Sequence, residues 1–175
     1  MYEFVPLKSV IMDQEHEQHL KNPERLYRSN PRDSQKSLSR ERHRYEVMVA
    51  NAQDIMAIMD TDAVIQFMNP AAERVIGYAP EEMIGQELFE FLHPDDIHLF
   101  EELLDICVDS PGANLPVIEM RLQHKSGAWR WMRIYSKDLQ FDEIISGIYM
   151  DIRDVTEYKE LKRLRSQSEK DAHTK

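Results

Sequence analysis

A chain of 175 residues, 42% of them apolar, has room for one ordinary domain with a real core plus tails, and two full domains would be cramped. No apolar run is long enough to span a bilayer, and the first twenty residues carry acids and histidines where a secretion signal needs a basic start and an apolar middle. A cytoplasmic protein without membrane insertion is therefore expected, and the single cysteine, Cys107, excludes an internal disulfide framework or, within one chain, a multi-cysteine zinc site.

The net charge of −10 is unevenly spread. Residues 45–156 hold 21 acids against 7 bases, net −14, whereas the flanks on either side each sum to +2. An acidic body repels phosphate backbones, so no nucleic-acid partner is expected.

Residues 1–37 begin with a short apolar stretch (Phe4, Val5, Leu7, Val10, Ile11) and continue as polar sequence broken by Pro23 and Pro31, which predicts a flexible arm. His16 and His19 lie three apart, whereas the helical zinc-protease motif needs four, so no metal is expected there. Residues 38–53 form an amphipathic helix, with Tyr45, Met48, Val49 and Ala52 at i, i+3, i+4 and i+7.

Two apolar runs, Ile55 to Met59 and Val64 to Met68, flank Asp60-Thr61-Asp62 and predict a hairpin. Asn69-Pro70 is suited to open a short helix over Ala71 to Ile76, with Asn69 as its cap and Gly77 as its stop. Pro80 to Gly85 repeats the device over one turn, and Gln86 to Leu92 carries a third short helical piece. None of these is long enough for a bundle seam, so they suit a layer laid across a sheet. His93-Pro94-Asp95-Asp96 opens a longer helix to about Asp109, with Ile97, Phe100, Leu103, Leu104 and Cys107 on its apolar face. The acids at its start are accounted for by capping and the helix dipole, and no nucleophile or oxyanion donor set accompanies His93, so no enzyme activity is expected.

Three strands follow, Val117 to His124, Trp129 to Gln140 and Ile144 to Arg153. Ile118, Met120, Leu122, Met132 and Ile134 share one face. Trp129, Trp131, Arg133, Tyr135 and Tyr149, with Glu119 and Arg121, share the other, which is too aromatic to leave in water and too charged for a dry interior. That face predicts an amphipathic cover, either the helix over 38–53 or a second copy of the chain.

At the end of the last strand, Ile148, Met150 and Ile152 alternate with Tyr149, Asp151 and Arg153. Val155, Tyr158, Leu161 and Leu164 then recur every three residues. No Gly or Pro separates the two patterns, so a strand passes directly into a helix, and Asp154 or Thr156 is suited to cap it. The helical apolar stripe spans fewer than two heptads, too short for a coiled coil stable alone.

The whole order is an α+β architecture, a five-stranded antiparallel sheet with short helices on one face, flanked by N-terminal and C-terminal helices. It resembles the PAS domain family, of the sensory-box type, over about residues 45–156. The resemblance rests on Asn69-Pro70-Ala71-Ala72, on Gly77-Tyr78 followed by Glu81-Glu82-Met83-Ile84-Gly85, and on His93-Pro94-Asp95-Asp96. It rests further on Lys125-Ser126-Gly127-Ala128-Trp129-Arg130-Trp131 and on Asp151-Ile152-Arg153-Asp154-Val155-Thr156. It implies domains at 1–37 (arm), 38–53 (helix), 54–156 (PAS domain) and 157–175 (signalling helix and tail).

What the resemblance implies is a sensory or protein-interaction module rather than an enzyme, a homodimer acting in trans on a partner signalling protein. Alternatives are a ligand-free constitutive adapter or a fragment of a larger sensor kinase. Asp154, Val155 and Thr156 match the motif that couples the last strand to an output helix in this family. In the flavin photosensor branch a cysteine stands where Leu88 stands here, and in the haem branch a histidine stands where Glu101 stands here, with His98 one turn earlier. No flavin-adduct or haem chemistry is therefore expected. The cofactor is unknown: either none, or a small apolar ligand in a pocket of Met56, Ile58, Phe67, Leu88, Phe91, Phe100, Met120 and Met132. The expected interface is Tyr45, Met48, Val49, Ala52, Trp129, Trp131, Tyr135 and Tyr149.

Overall fold

The computed structural model describes residues 31–173, and side chains from residue 35 to residue 170. The predicted arm before residue 31, with His16 and His19, lies outside the described residues. The chain divides into two units, Met1–Tyr45 and Glu46–Lys175. The boundary falls within helix α1, Pro31–Ala50, which starts earlier than the predicted 38–53 helix and ends before Ala52. Proline is well suited to a first helical position, where its missing N–H has no intrahelical partner to lose.

The second unit holds one five-stranded antiparallel sheet, ordered β2-β1-β5-β4-β3. Its strands are β1 (Ile55–Met59), β2 (Ile65–Met68), β3 (Ile118–Gln123), β4 (Trp129–Leu139) and β5 (Gly147–Asp154). Between β2 and β3 run α2 (Ala71–Ile76), α3 (Pro80–Met83), two 3-10 turns at Leu88–Phe91 and Pro94–Asp96, and α4 (Ile97–Asp109). The terminal helix α5 spans Thr156–His173.

The core lies between the helical layer and one face of the sheet. Ile55, Ala57 and Met59 supply it from β1, Met120 and Leu122 from β3, Met132 and Ile134 from β4, and Ile148, Met150 and Ile152 from β5. Every second residue turns inward, as the pleat requires. Phe100, Leu103 and Cys107 close it from α4. The short helices end where backbone must come close. At Gly77, φ is +80°, and a Cβ there would lie 3.0 Å from the His124 ring.

The hairpin between β1 and β2 forms without glycine. Asp60 Oδ1 accepts from the N–H groups of Asp62 and Val64 at 3.0 and 2.9 Å, and Ala63 takes the left-handed conformation at φ 64°. The strand expected from Ile144 starts instead at Gly147. Asp142 Oδ1 accepts from the N–H groups of Ile144 and Ile145, both at 2.9 Å, which holds those residues in a turn.

Both sheet edges are covered. The N–H of Ile65 donates to Gln86, that of Leu88 to Ala63 and that of His93 to Arg121. Leu92 and Leu122 form a further antiparallel bridge. Exposed ladder edges invite foreign strands, and short crossing segments remove the opportunity.

Candidate functional site

The site is the face of the sheet away from the helices, together with the junction where β5 becomes α5. In β3 and β4 the register sets Glu119 opposite Arg133 and Arg121 opposite Trp131, and in β4 and β5 it sets Tyr135 opposite Asp151. The alternation that sends Met132 and Ile134 inward leaves Trp131, Arg133 and Tyr135 outward, as the sequence pattern predicts.

Each residue of the Asp154-Val155-Thr156 junction makes its own hydrogen bond. Asp154 Oδ1 accepts from the Thr156 N–H at 2.8 Å, meeting one of the unpaired donors of the first helical turn. The Val155 N–H donates to the Trp131 carbonyl at 2.8 Å, and the Val155 side chain is buried. The Thr156 hydroxyl accepts from the Trp131 N–H at 2.9 Å. Asp154 is the helix-start acceptor, while Thr156 fastens the helix to β4.

One turn further on, Lys159 anchors α5 to the same face. Its Nζ lies 2.7 Å from Glu119 Oε2 and 3.9 Å from the Trp131 ring centroid. Arg133 reaches the other Glu119 oxygen, with Nη2 at 2.7 Å. Hydrogen bonds from Lys159 and then Arg133 hold the Glu119 carboxyl below its usual range. Arg121 lies over the same indole, 5.1 Å from the centroid. Cations near an indole contribute about 0.5–1 kcal/mol each at partly exposed sites.

Arg121 also closes the β3 edge. Its Nε and Nη2 donate to Asp96 Oδ2 and Oδ1 at 2.8 and 2.7 Å, a two-pronged ion pair. The cap of the 3-10 turn is His93, whose Nδ1 accepts from the Asp95 N–H at 3.2 Å. The expectation that both acids serve capping and the dipole is corrected for Asp96. It is buried, and Arg121 is its partner.

Asn69 also differs from expectation. Its side chain makes no cap for α2. It is fully buried; its Oδ1 accepts from the Met56 N–H at 2.9 Å, and its Nδ2 donates to the carbonyls of Val49 and Asp54, both at 3.2 Å. Asn69 therefore ties the end of α1 to the first strand. An asparagine before a proline carries no local sign of such distant partners.

The pocket expectation divides. Leu88, Phe100, Met120 and Met132 are fully buried in the core and Phe91 packs against it. Met56, Ile58 and Phe67 do not point inward. Because Ile55, Ala57 and Met59 take the inward positions of β1, Met56 and Ile58 stand on the outer face, opposite Asp151 and Tyr149, and Phe67 pairs with Ile58. These three enlarge the outer face, where Phe67, Trp129 and Tyr135 are 38%, 38% and 44% exposed and Tyr149 is half-buried. On α1, Tyr45 and Met48 are exposed and Val49 is half-buried; Ala52, just beyond the helix, is also half-buried.

Two ionisable groups on this face are shifted in the same direction. Burial and the neighbouring Asp54 push the Asp151 carboxyl up, with Arg153 opposing them. Burial, with Asp151 beside it, likewise pushes the Tyr149 hydroxyl up.

The buried side chain at the photosensor position is Leu88, and Cys107 lies buried in α4 with its thiol pushed up to about 11 by burial and by Asp138. His98 and Glu101 face solvent. Among the described residues no group of three or more His, Cys, Asp or Glu is placed to hold a metal ion. No helix among them is long and apolar enough to cross a membrane.

Residues 65–143 match a family model described as the PAS fold. The body has the PAS fold. It is similar to the PAS domain of a Colwellia psychrerythraea protein (22% identity, 66% of this chain and 97% of that one, TM-score 0.56). It is also similar to the PAS domain of an HTR-like protein from Haloarcula marismortui (17% identity, 70% and 98%, TM-score 0.54). At these identities the likeness shows the fold alone. A curated relative, White collar 2 protein of Neurospora crassa, is 32% identical over 82 residues, which is 47% of this chain. The chain spans only 15% of that relative's length.

Proposed function

We propose that this PAS domain self-associates through the outer face of its sheet and relays changes in that sheet to α5, acting in trans on a partner signalling protein. The observation that carries the reading is the fastening of the helix start to one residue of β4. Trp131 engages Val155 and Thr156 through its backbone and Lys159 through its ring, so a displacement of β4 moves the first turn of α5 with it. The outer face supplies the associating surface, with Phe67, Trp129 and Tyr135 exposed beside half-buried Ile58 and Tyr149. Aromatic residues framed by arginines are the composition of protein interfaces. Met48 on α1 adds further exposed apolar surface.

Asp154→Ala tests the relay. Faster amide exchange over residues 157–165 is expected, and unaltered exchange there counts against it. Tyr135→Glu tests the association. Light scattering should report a smaller mass than for the parent protein, and an equal mass rules the face out. Trp131 is the poorer probe because its loss would also release α5.

A second reading, constitutive association without a ligand, is favoured by the complete burial of Leu88, Phe100, Met120 and Met132 among core side chains. A stoichiometric small molecule released on denaturation, detected by mass spectrometry, would exclude it.

A further inference from the structure

A groove of about 330 Å³ lies between α5 and the outer face of the sheet. Four cations line it, Arg133 from β4 and Lys159, Lys162 and Arg163 from α5, against the single carboxylate of Glu119. This is a local positive site on a body whose residues 45–156 carry net −14. The groove already shows how it receives a carboxylate. Glu119 is held by a sheet guanidinium on one oxygen and a helix ammonium on the other, each at 2.7 Å. The next cations along the helix, Lys162 and Arg163, are exposed and form no ion pair among the described residues. The ring of Tyr158, 58% exposed, provides an apolar wall beside them.

We propose that this groove binds an acidic segment of a partner protein, two or more carboxylates flanking an apolar side chain. The carboxylates face Arg133, Lys162 and Arg163 while the apolar side chain lies on Tyr158. Charge complementarity selects the occupant. A nucleic-acid duplex presents the same sign of charge, but its length extends over the acidic body and is repelled there. A short peptide is not. An occupant that touches Arg133 and Lys162 together bridges the sheet and the helix, so its binding holds α5 against β4. This rests on the reading of α5 as the output element.

The test uses the full chain and a fluorescein-labelled Glu-Glu-Leu-Glu-Glu peptide, with Gln-Gln-Leu-Gln-Gln as its uncharged counterpart, in an anisotropy titration at low salt. Saturable binding of the acidic peptide alone is expected, about tenfold weaker or worse in the double variant Lys162→Glu, Arg163→Glu. Binding should be retained in Arg165→Glu, on the same helix but outside the groove. Equal loss in Arg165→Glu would show unspecific attraction to the helix and overturn the site, as would tighter binding of a duplex DNA than of the peptide. A change of mass by light scattering in the double variant would reassign the groove to contact between copies. Hydrogen exchange separates the two layers of the proposal. Peptide binding without added protection in α5 keeps the site and overturns the relay, whereas no binding overturns the site alone.

Discussion

The Trp131 N–H donates to the Thr156 hydroxyl at 2.9 Å, while the Trp131 carbonyl accepts from the N–H of Val155 at 2.8 Å. Removing the hydroxyl leaves the Trp131 N–H without its acceptor. Thr156→Val, nearly isosteric, is expected to cost about 1 kcal/mol in denaturant unfolding and to speed amide exchange at Trp131. Thr156→Ser should restore both.

Asn69 satisfies three backbone groups from two segments, Val49 at the end of α1 and Asp54 and Met56 at the start of β1. Asn69→Ala strands them and opens a small cavity. A loss of about 2–3 kcal/mol in stability is expected, with increased exchange over residues 46–54. A variant as stable as the parent would show that water replaces the amide without penalty.

Gly147, buried at the start of β5, has no space for a side chain. A Cβ there would stand 2.6 Å from the Met59 carbonyl oxygen, and backbone in the middle of a sheet cannot move aside cheaply. Gly147→Ala is expected to cost about 1–3 kcal/mol, read as a lower unfolding midpoint.

The Arg121 guanidinium holds the folded Asp96 carboxyl below its usual value, against a burial penalty. The folded state therefore binds the proton less readily than the unfolded chain. Stability from this pair is complete above the unfolded value, about 3.9, and is lost as pH falls through the lower folded value. Asp96→Asn should cost about 1.5–3 kcal/mol at neutral pH, and its difference from the parent should shrink as the solution is acidified.

Asp151 has the opposite sign. Burial and Asp54 raise its folded value, so the ionised form penalises the fold at neutral pH and the penalty fades as pH falls toward about 3.9. Asp151→Asn is expected to raise the thermal midpoint at pH 7, with the gain shrinking in acid.

Periodicity made the core of β3, β4 and β5 legible, because alternation assigns a face once one end is fixed. It was insufficient for β1, where Ile55, Met56, Ala57, Ile58 and Met59 are all apolar and either set can face inward. Met56 and Ile58 were expected inward, whereas Ile55, Ala57 and Met59 take the inward positions. The junction was visible as two periods meeting at Asp154 to Thr156, and Asp154 accepts from the first turn as its short carboxylate suggested. The anchors of that junction were not visible. Lys159 on Trp131 and Glu119, Asp96 on Arg121, and Asn69 on Val49 join residues 20 or more positions apart, with no local periodicity to announce them.

The central pairing of β1 with β5 has a mechanical consequence. Ile55 at the first position of the sheet stands opposite Ile152, near its last, and Asp54 and Arg153 are joined by an ion pair just beside them. The polypeptide thus passes in and out of the domain through one doorway. The segments that enter and leave the sheet therefore meet at one end of it, side by side on neighbouring strands.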